Sequence, residues 1–289
     1  MQDQTVLITG ANSGLGRVTA GHLAGRGAQV LILCRNRDKA EATREAIVRA
    51  TGNPRVFAYH ADLASQRQTR QVAAQILEKN PRLHVLINNA GLLTARRLLT
   101  EEGLEMTFAV NHLACFLLTR LLLDRIIQSA PARIINVSSM VHRWGRMRFR
   151  DWSMKRFFLP MAAYAQSKLA NVLFTYALAR RLEGTGVTVN CLHPGVVDSG
   201  FGREGSRLYR FLKTLARPFF YISPERGAQT QIYLATSPDV ASVSGAYFVN
   251  QKPVRSSRAS YDREQQERLW RLSETLTGLP AWPPPSDHE

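Results

Sequence analysis

The chain of 289 residues is poor in cysteine, in acidic residues and in long uninterrupted apolar runs. Its three cysteines, Cys34, Cys115 and Cys191, stand too far apart for a disulfide framework or for the close pairs of a metal site. Neither is expected. Cys34 and Cys191 fall in apolar, strand-like runs, which predicts buried, reduced thiols in a reducing compartment. Asp and Glu number 22 against 38 Lys and Arg, for a formal net charge of +16. Such a balance raises nucleic acid or anionic lipid as partners. The arginines, however, are scattered (Arg17, Arg26, Arg44, Arg70, Arg133 and Arg180 among them), with no basic run of five, no zinc-finger spacing and no RNP-type signature. No nucleic-acid role is expected. The longest apolar stretch, around Leu113 to Leu123, is interrupted by Arg120 and is shorter than the roughly 20 residues of a bilayer span. With a strand predicted from about Thr5, no signal peptide is expected. The expectation is a soluble, cytoplasmic protein, with peripheral contact with a membrane left open.

What the chain does contain is 45% apolar residues, ample for one core. Short apolar runs at Thr5–Gly10, Ala28–Cys34, Arg55–His60, Leu83–Ile87, Ala132–Ser139, Val187–Leu192 and Ala246–Val249 read as seven strands separated by helical patterns. Strands alternating with crossover helices predict an α/β fold. It is a single doubly wound, Rossmann-type domain with a seven-stranded parallel sheet and helices on both faces, over residues 1–279. An irregular, basic and aromatic insertion fills 140–160, and the proline-rich 280–289 reads as a flexible tail.

The first strand runs into Gly10, Gly14 and Gly16, and a helical pattern follows at once. Strand, glycine turn and helix let a backbone approach a pyrophosphate and set it on a helix N-terminus. The second strand ends at Arg35, where an arginine accommodates the 2′-phosphate of NADP and an acid would favour NAD. Arg37, Lys39 and Arg17 lie near it in sequence, and Asp38 reads as part of the next helix's first turn. Asp62 after the third strand either contacts adenine or caps the helix from Ser65. The fourth strand runs into Asn88, Asn89, Ala90 and Gly91, and Asn111 opens a helix to about Ser129. The fifth ends in Ser138 and Ser139, where open α/β sheets bind ligands. Tyr164 and Lys168 stand one helical turn apart on a predicted helix from Met161 to Leu182. A fixed ammonium beside a phenol favours phenolate and predicts a lowered Tyr164 pKa, as an acid/base needs. Tyr-x-x-x-Lys alone is short enough to occur by chance, and Tyr209 and Lys213 repeat it. Only Tyr164 has a glycine turn and a serine-bearing strand upstream.

Thr9-Gly-x-x-x-Gly-x-Gly16, Asn88-Asn-Ala-Gly91, Asn111, Ser139, Tyr164-x-x-x-Lys168 and Pro194-Gly195 occur in that order. Together they resemble the short-chain dehydrogenases/reductases over about Gln4 to Leu279. The stretches from Tyr164 to Phe174, His193 to Val197 and Gly227 to Thr230 are most similar to the retinol-dehydrogenase group. The resemblance implies an NADP(H)-dependent oxidoreductase that interconverts a carbonyl and an alcohol. Tyr164 would be the acid/base, Lys168 would hold the nicotinamide ribose, Ser139 would bond the substrate oxygen, and Asn111 would fix a water relay. Gly10, Ser13, Gly14, Leu15 and Gly16 would cradle the pyrophosphate, and Arg35 would take the 2′-phosphate. Asp62 and Leu63 would flank the adenine, and Asn89, Ala90 and Gly91 would line the cofactor. Pro194, Gly195, Val197 and Ser199 would meet the nicotinamide end. Residues 200–223 would form a substrate lid. Its 207–221 part is apolar and basic at helical spacing, as interfacial helices are. An apolar lid and an aromatic insertion imply a small but bulky apolar substrate, such as a retinoid, a lipid aldehyde or a steroid. Many relatives pair through the helices equivalent to Asn111–Ser129 and Tyr164–Leu182, which leaves a homodimer open. The alternative is a non-enzymatic, NADP-sensing protein on the same scaffold.

Overall fold

A computed structural model describes residues 1–195 and 222–282. Val197, Ser199 and the 207–221 segment lie outside the described residues. Eight strands form one sheet in the order β3-β2-β1-β4-β5-β6-β7-β8. They are β1 (Thr5–Thr9), β2 (Gln29–Cys34), β3 (Val56–His60), β4 (Val85–Asn88), β5 (Ala132–Val137), β6 (Val187–His193), β7 (Tyr247–Val249) and β8 (Lys252–Pro253). The first seven are parallel, as the sequence predicts. The eighth is an addition, a two-residue strand antiparallel to β7. It is reached through Asn250 and Gln251, whose positive φ angles (49° and 64°) match a tight primed hairpin turn.

Side chains alternate across the sheet, and each face has its own helices. Leu7, Leu31, Leu86 and Ile134 pack on one side with Val72 of α3 (Gln66–Lys79), Phe116 of α4 (Met106–Gln128) and Phe174 of α5 (Pro160–Arg181). Val6, Ile8, Val30 and Ile32 pack on the other with Leu23 of α1 (Gly14–Gly25), Ile47 of α2 (Arg37–Thr51) and Leu234 of α6 (Pro224–Thr236). The helix expected to open at Asn111 begins at Met106, because the Glu105 carboxylate accepts the N–H groups of Thr107 and Phe108. By length and composition α4 is apolar enough to cross a membrane, with a mean hydropathy of 1.6, which the sequence count around Leu113–Leu123 had understated. Its most apolar window is 83% buried inside the fold, so it is read as a core helix.

The last helix, α7 (Arg263–Thr277), straps α4 and α5 from outside. Arg181 pairs with Glu267 at 2.5 Å and lies 4.0 Å from the Trp270 ring centroid. Ser273 bonds His112 at 2.8 Å, and Glu274 accepts from Arg120 at 2.9 Å.

Between β4, β5 and the two long helices runs a buried polar chain. Asn88 Nδ2 donates to Asn136 Oδ1 (2.9 Å) and to Thr119 Oγ1 (3.0 Å), and Asn136 Nδ2 donates to Thr175 Oγ1 (3.0 Å). Asn136 is fully buried. Removing it strips a hydrogen bond from each of three buried partners, Asn88, Thr175 and Cys115, so Asn136→Leu is expected to lower unfolding free energy by about 2–4 kcal/mol. Urea denaturation would check this, with an unchanged midpoint as the contrary result.

Candidate active site

The strand order reverses between β1 and β4, and in such sheets ligands sit at the carboxyl ends of the strands, at that reversal. A cleft of about 570 Å³ opens there. Its floor is the turn from β1 into α1. Gly10 has φ +67°, and a Cβ on it would stand 3.0 Å from Ala90 Cα. A Cβ on Gly16 would fall 2.6 Å from Gly10 O and from Asn89 Nδ2, so only glycine lets turn and helix close. Ser13 ends the turn in an extended conformation with no side-chain cap, and the first turn of α1 has no acidic residue. The positive end of α1 is thus open beside Ser13, Gly14 and Leu15, which line the cleft. Asn89 braces this floor: its Nδ2 donates to Thr9 O (2.8 Å) and its Oδ1 accepts from Gln231 (3.1 Å).

Arg35 follows β2 and stands exposed at the cleft wall. Asn36 caps α2 by accepting from Lys39 N–H at 2.8 Å, which puts Asp38 in the first helical turn as expected. Asp62 and Leu63 line the same end. Of the two readings of Asp62, the cap is not observed: Ser65 caps α3, while Asp62 Oδ1 accepts from Ala64 N–H at 2.9 Å. A glycine floor and an open helix terminus fit the pyrophosphate of a nicotinamide dinucleotide.

At the other end stand the polar side chains. Asn111 lies in a π-turn over Ala109–Leu113, an irregularity frequent at functional sites. Its Oδ1 accepts from Leu92 N–H (2.7 Å), and its Nδ2 donates to Leu92 O and Ser167 Oγ (both 2.9 Å). A Cβ on Gly91 would sit 3.3 Å from Asn111 Oδ1 and 3.4 Å from Lys168 Nζ, so this glycine marks where the two groups approach. Asn111 therefore lies behind the cleft, next to Lys168. Lys168 is buried, its Nζ donates to Val137 O at 2.9 Å, and burial pushes its pKa down to about 8. The Ser138 hydroxyl donates to Lys168 O at 2.8 Å. Ser139 instead faces the cleft with Tyr164, near enough for its hydroxyl to favour the phenolate.

The expected lowering of the Tyr164 pKa is not found. Burial pushes the phenol up to about 12, with the Ser139 hydroxyl pulling the other way. The Lys168 ammonium donates to Val137 O and stands 5.6 Å from the Tyr164 ring centroid. Pro194 and Gly195 close the cleft, and Gly195 has φ +91°. Sequence reading missed the apolar wall made by Met106, Val110, Val141 and Met161, and also His193 beside Pro194. It also missed His142, three residues after Ser139. A histidine closely following a site serine at a strand end was the available signal.

A profile of the short chain dehydrogenases matches residues 4–207. The chain belongs to the short-chain dehydrogenase/reductase family, in its retinol-dehydrogenase-like group. It is 46% identical over 284 residues to retinol dehydrogenase 13 of Homo sapiens, covering 96% of this chain and 86% of that one. Retinol dehydrogenase 14 of Mus musculus is 44% identical over 296 residues, with 96% and 87% covered. Among solved structures it is similar to an uncharacterised protein from Mycobacterium paratuberculosis (TM-score 0.77, 33% identity, 96% and 94% covered). It is also similar to the Pseudomonas aeruginosa RhlG/NADP active-site complex (TM-score 0.69, 27% identity, 86% and 94% covered). As a member of this family it is a carbonyl/alcohol oxidoreductase that uses a nicotinamide cofactor and a small-molecule substrate.

Proposed function

We propose that this protein is an NADP(H)-dependent oxidoreductase for a bulky apolar aldehyde, ketone or alcohol, of retinoid, lipid-aldehyde or steroid type. The observation that carries the reading is the meeting of Ser139 and Tyr164 at one cleft, with buried Lys168 beside them. When bound, the nicotinamide supplies or takes the hydride at the carbonyl carbon. Tyr164 gives its phenolic proton to the oxygen in reduction and takes it back in oxidation. With burial pushing its pKa up to about 12, Tyr164 holds that proton at neutral pH, which suits the reductive direction. Ser139 donates to the oxygen as negative charge grows there. Lys168 holds the nicotinamide ribose, and Asn111 anchors the Leu92 main chain and a water relay behind it. Gly10, Ser13, Gly14, Leu15 and Gly16 receive the pyrophosphate. Asp62 and Leu63 flank the adenine, and Asn89, Ala90 and Gly91 line the cofactor. Pro194 and Gly195, with Val197 and Ser199 beyond the described residues, meet the nicotinamide.

Arg35 is the basis for NADP(H) over NAD(H). Arg35→Ser is expected to raise KM for NADPH by roughly 10–100-fold, the worth of one charge-assisted contact, and to leave KM for NADH nearly unchanged. Equal effects on both cofactors would contradict the assignment. Turnover of a panel of retinal, nonanal and a ketosteroid with NADPH tests the reading as a whole.

Membrane contact through 207–221 remains part of this proposal, and the 140–161 excursion adds support. It exposes Met140, Trp144 (77% exposed), Phe157, Leu159 and Met161. Among them stand Arg143, Arg146, Arg148, Arg150, Lys155 and Arg156, with Asp151 as the sole carboxylate. Exposed apolar groups beside basic ones suit an anionic lipid surface. The protein is expected to sediment with phosphatidylglycerol vesicles more than with neutral ones, and Trp144→Ser/Phe157→Ser should lose most of that binding. Equal sedimentation with both kinds, or no loss in the variant, would count against it.

A further inference from the structure

We infer that His142 is a positioning residue for Ser139, a neutral imidazole that ties the serine's main chain to the C-terminal segment at Ser257. The inference rests on the part given to Ser139 above. The last ladder bond before that serine is Ser138 N–H to Leu192 O at 2.8 Å, so Ser139 stands past the end of β5, without a strand partner among the described residues. Its carbonyl is held by His142 twice, by the main-chain N–H at 3.1 Å and by the ring at 2.7 Å. On the opposite edge of the ring, Nε2 accepts from Ser257 N–H at 3.0 Å. A carbonyl can only accept and an amide N–H can only donate, so the two bonds fix the ring as the neutral tautomer protonated on Nδ1. The ring is fully buried and packs 4.7 Å from the Tyr247 ring of β7.

The anchor at Ser257 also reaches the helix that carries Tyr164. The adjacent Ser256 Oγ bonds Tyr176 Oη at 2.6 Å and Ser260 Oγ at 2.7 Å. Tyr176 lies on α5, the helix that carries Tyr164. The path Ser139–His142–Ser257–Ser256–Tyr176 therefore ties the serine to the helix that carries Tyr164, through one turn of the chain. A donor aimed at developing charge acts only within a fraction of an ångström, and displacement by about 1 Å can cost 100-fold. His142 touches neither substrate nor cofactor in this account. Its effect is on where Ser139 stands.

The test is a double-mutant cycle on kcat for NADPH-dependent reduction of a soluble aldehyde that the wild type turns over. His142→Phe keeps a ring and removes both ring bonds. It is expected to lower kcat by 10- to 100-fold and leave the NADPH Kd, read by fluorescence, within about twofold. His142→Gln, which keeps one donor and one acceptor, should recover most of the rate. Ser139→Ala/His142→Phe should be no slower than Ser139→Ala alone, because His142 acts through the serine. His142→Met replaces the phenyl variant if that ring disturbs folding, and must show the same non-additivity. A double variant slower by the full His142→Phe factor would overturn the inference, as would an undiminished kcat in His142→Phe while Ser139→Ala is slow. Wild-type kcat in Ser139→Ala would overturn the reading of the site and the clamp together.

Discussion

Tyr164→Phe is expected to lower kcat for carbonyl reduction by about 10²–10⁴-fold while NADPH binding changes little. Phenylalanine keeps the ring, and the helix around it is otherwise packed by Leu169, Leu173 and Phe174. What is lost is one oxygen, the neighbour of Ser139 and the proton source of the proposed reaction. The direction of the pKa shift gives a second signature. Because burial holds the phenol up, the proton-donating form prevails through neutral pH, so Tyr164 alone should impose no fall in the reductive rate there. The oxidative direction needs the phenolate, so its rate should climb as pH rises towards the Tyr164 pKa. Initial rates in both directions across pH, with the variant alongside, check the two statements. An oxidative rate that falls with pH would remove Tyr164 from the part of base.

Lys168→Met is expected to abolish turnover and yet make the cofactor-free protein more stable at neutral pH. Burial lowers the lysine from its ordinary value of 10.5 to about 8. Between those values the unfolded chain keeps a proton that the folded chain has released, so stability rises with pH across about 8 to 10.5. Below about pH 8 the full cost of burying the ammonium is present, of order 3 kcal/mol. Methionine removes that cost and forgoes one hydrogen bond to Val137 O, worth about 1 kcal/mol, whose acceptor is also approached by Asn171 at 3.4 Å. The net gain is about 2 kcal/mol at pH 7, and the rise in stability above pH 8 should flatten. Thermal and urea unfolding without cofactor would show it. A variant less stable than the wild type at pH 7 would mean that the buried ammonium supports the fold.

The parts legible in the sequence are those written in short-range pattern. Seven parallel strands follow from apolar runs buried on both faces, and the floor of the cleft follows from Gly10, Gly14 and Gly16 right after the first. Tyr164 and Lys168 needed only helical spacing. What was not legible depends on distant partners. β8 has two residues, one of them proline, and follows an Asn-Gln turn in place of the usual Asn-Gly. The pKa of Tyr164 turns on how deeply α5 is buried, which is not a property of Tyr-x-x-x-Lys. His142 finds its second partner 115 residues further along the chain. Likewise, α7 announces itself as an amphipathic helix, but not that Arg120, Arg180 and Arg181 wait for it on α4 and α5.

The most direct measurement of the central claim is the initial rate of cofactor oxidation by the wild-type protein with retinal, nonanal and a ketosteroid, run in parallel with NADPH and NADH. The account predicts turnover of at least one of these apolar carbonyls, with kcat/KM higher for NADPH than for NADH. Tight NADPH binding with no turnover of any carbonyl, or equal use of the two cofactors, would contradict it.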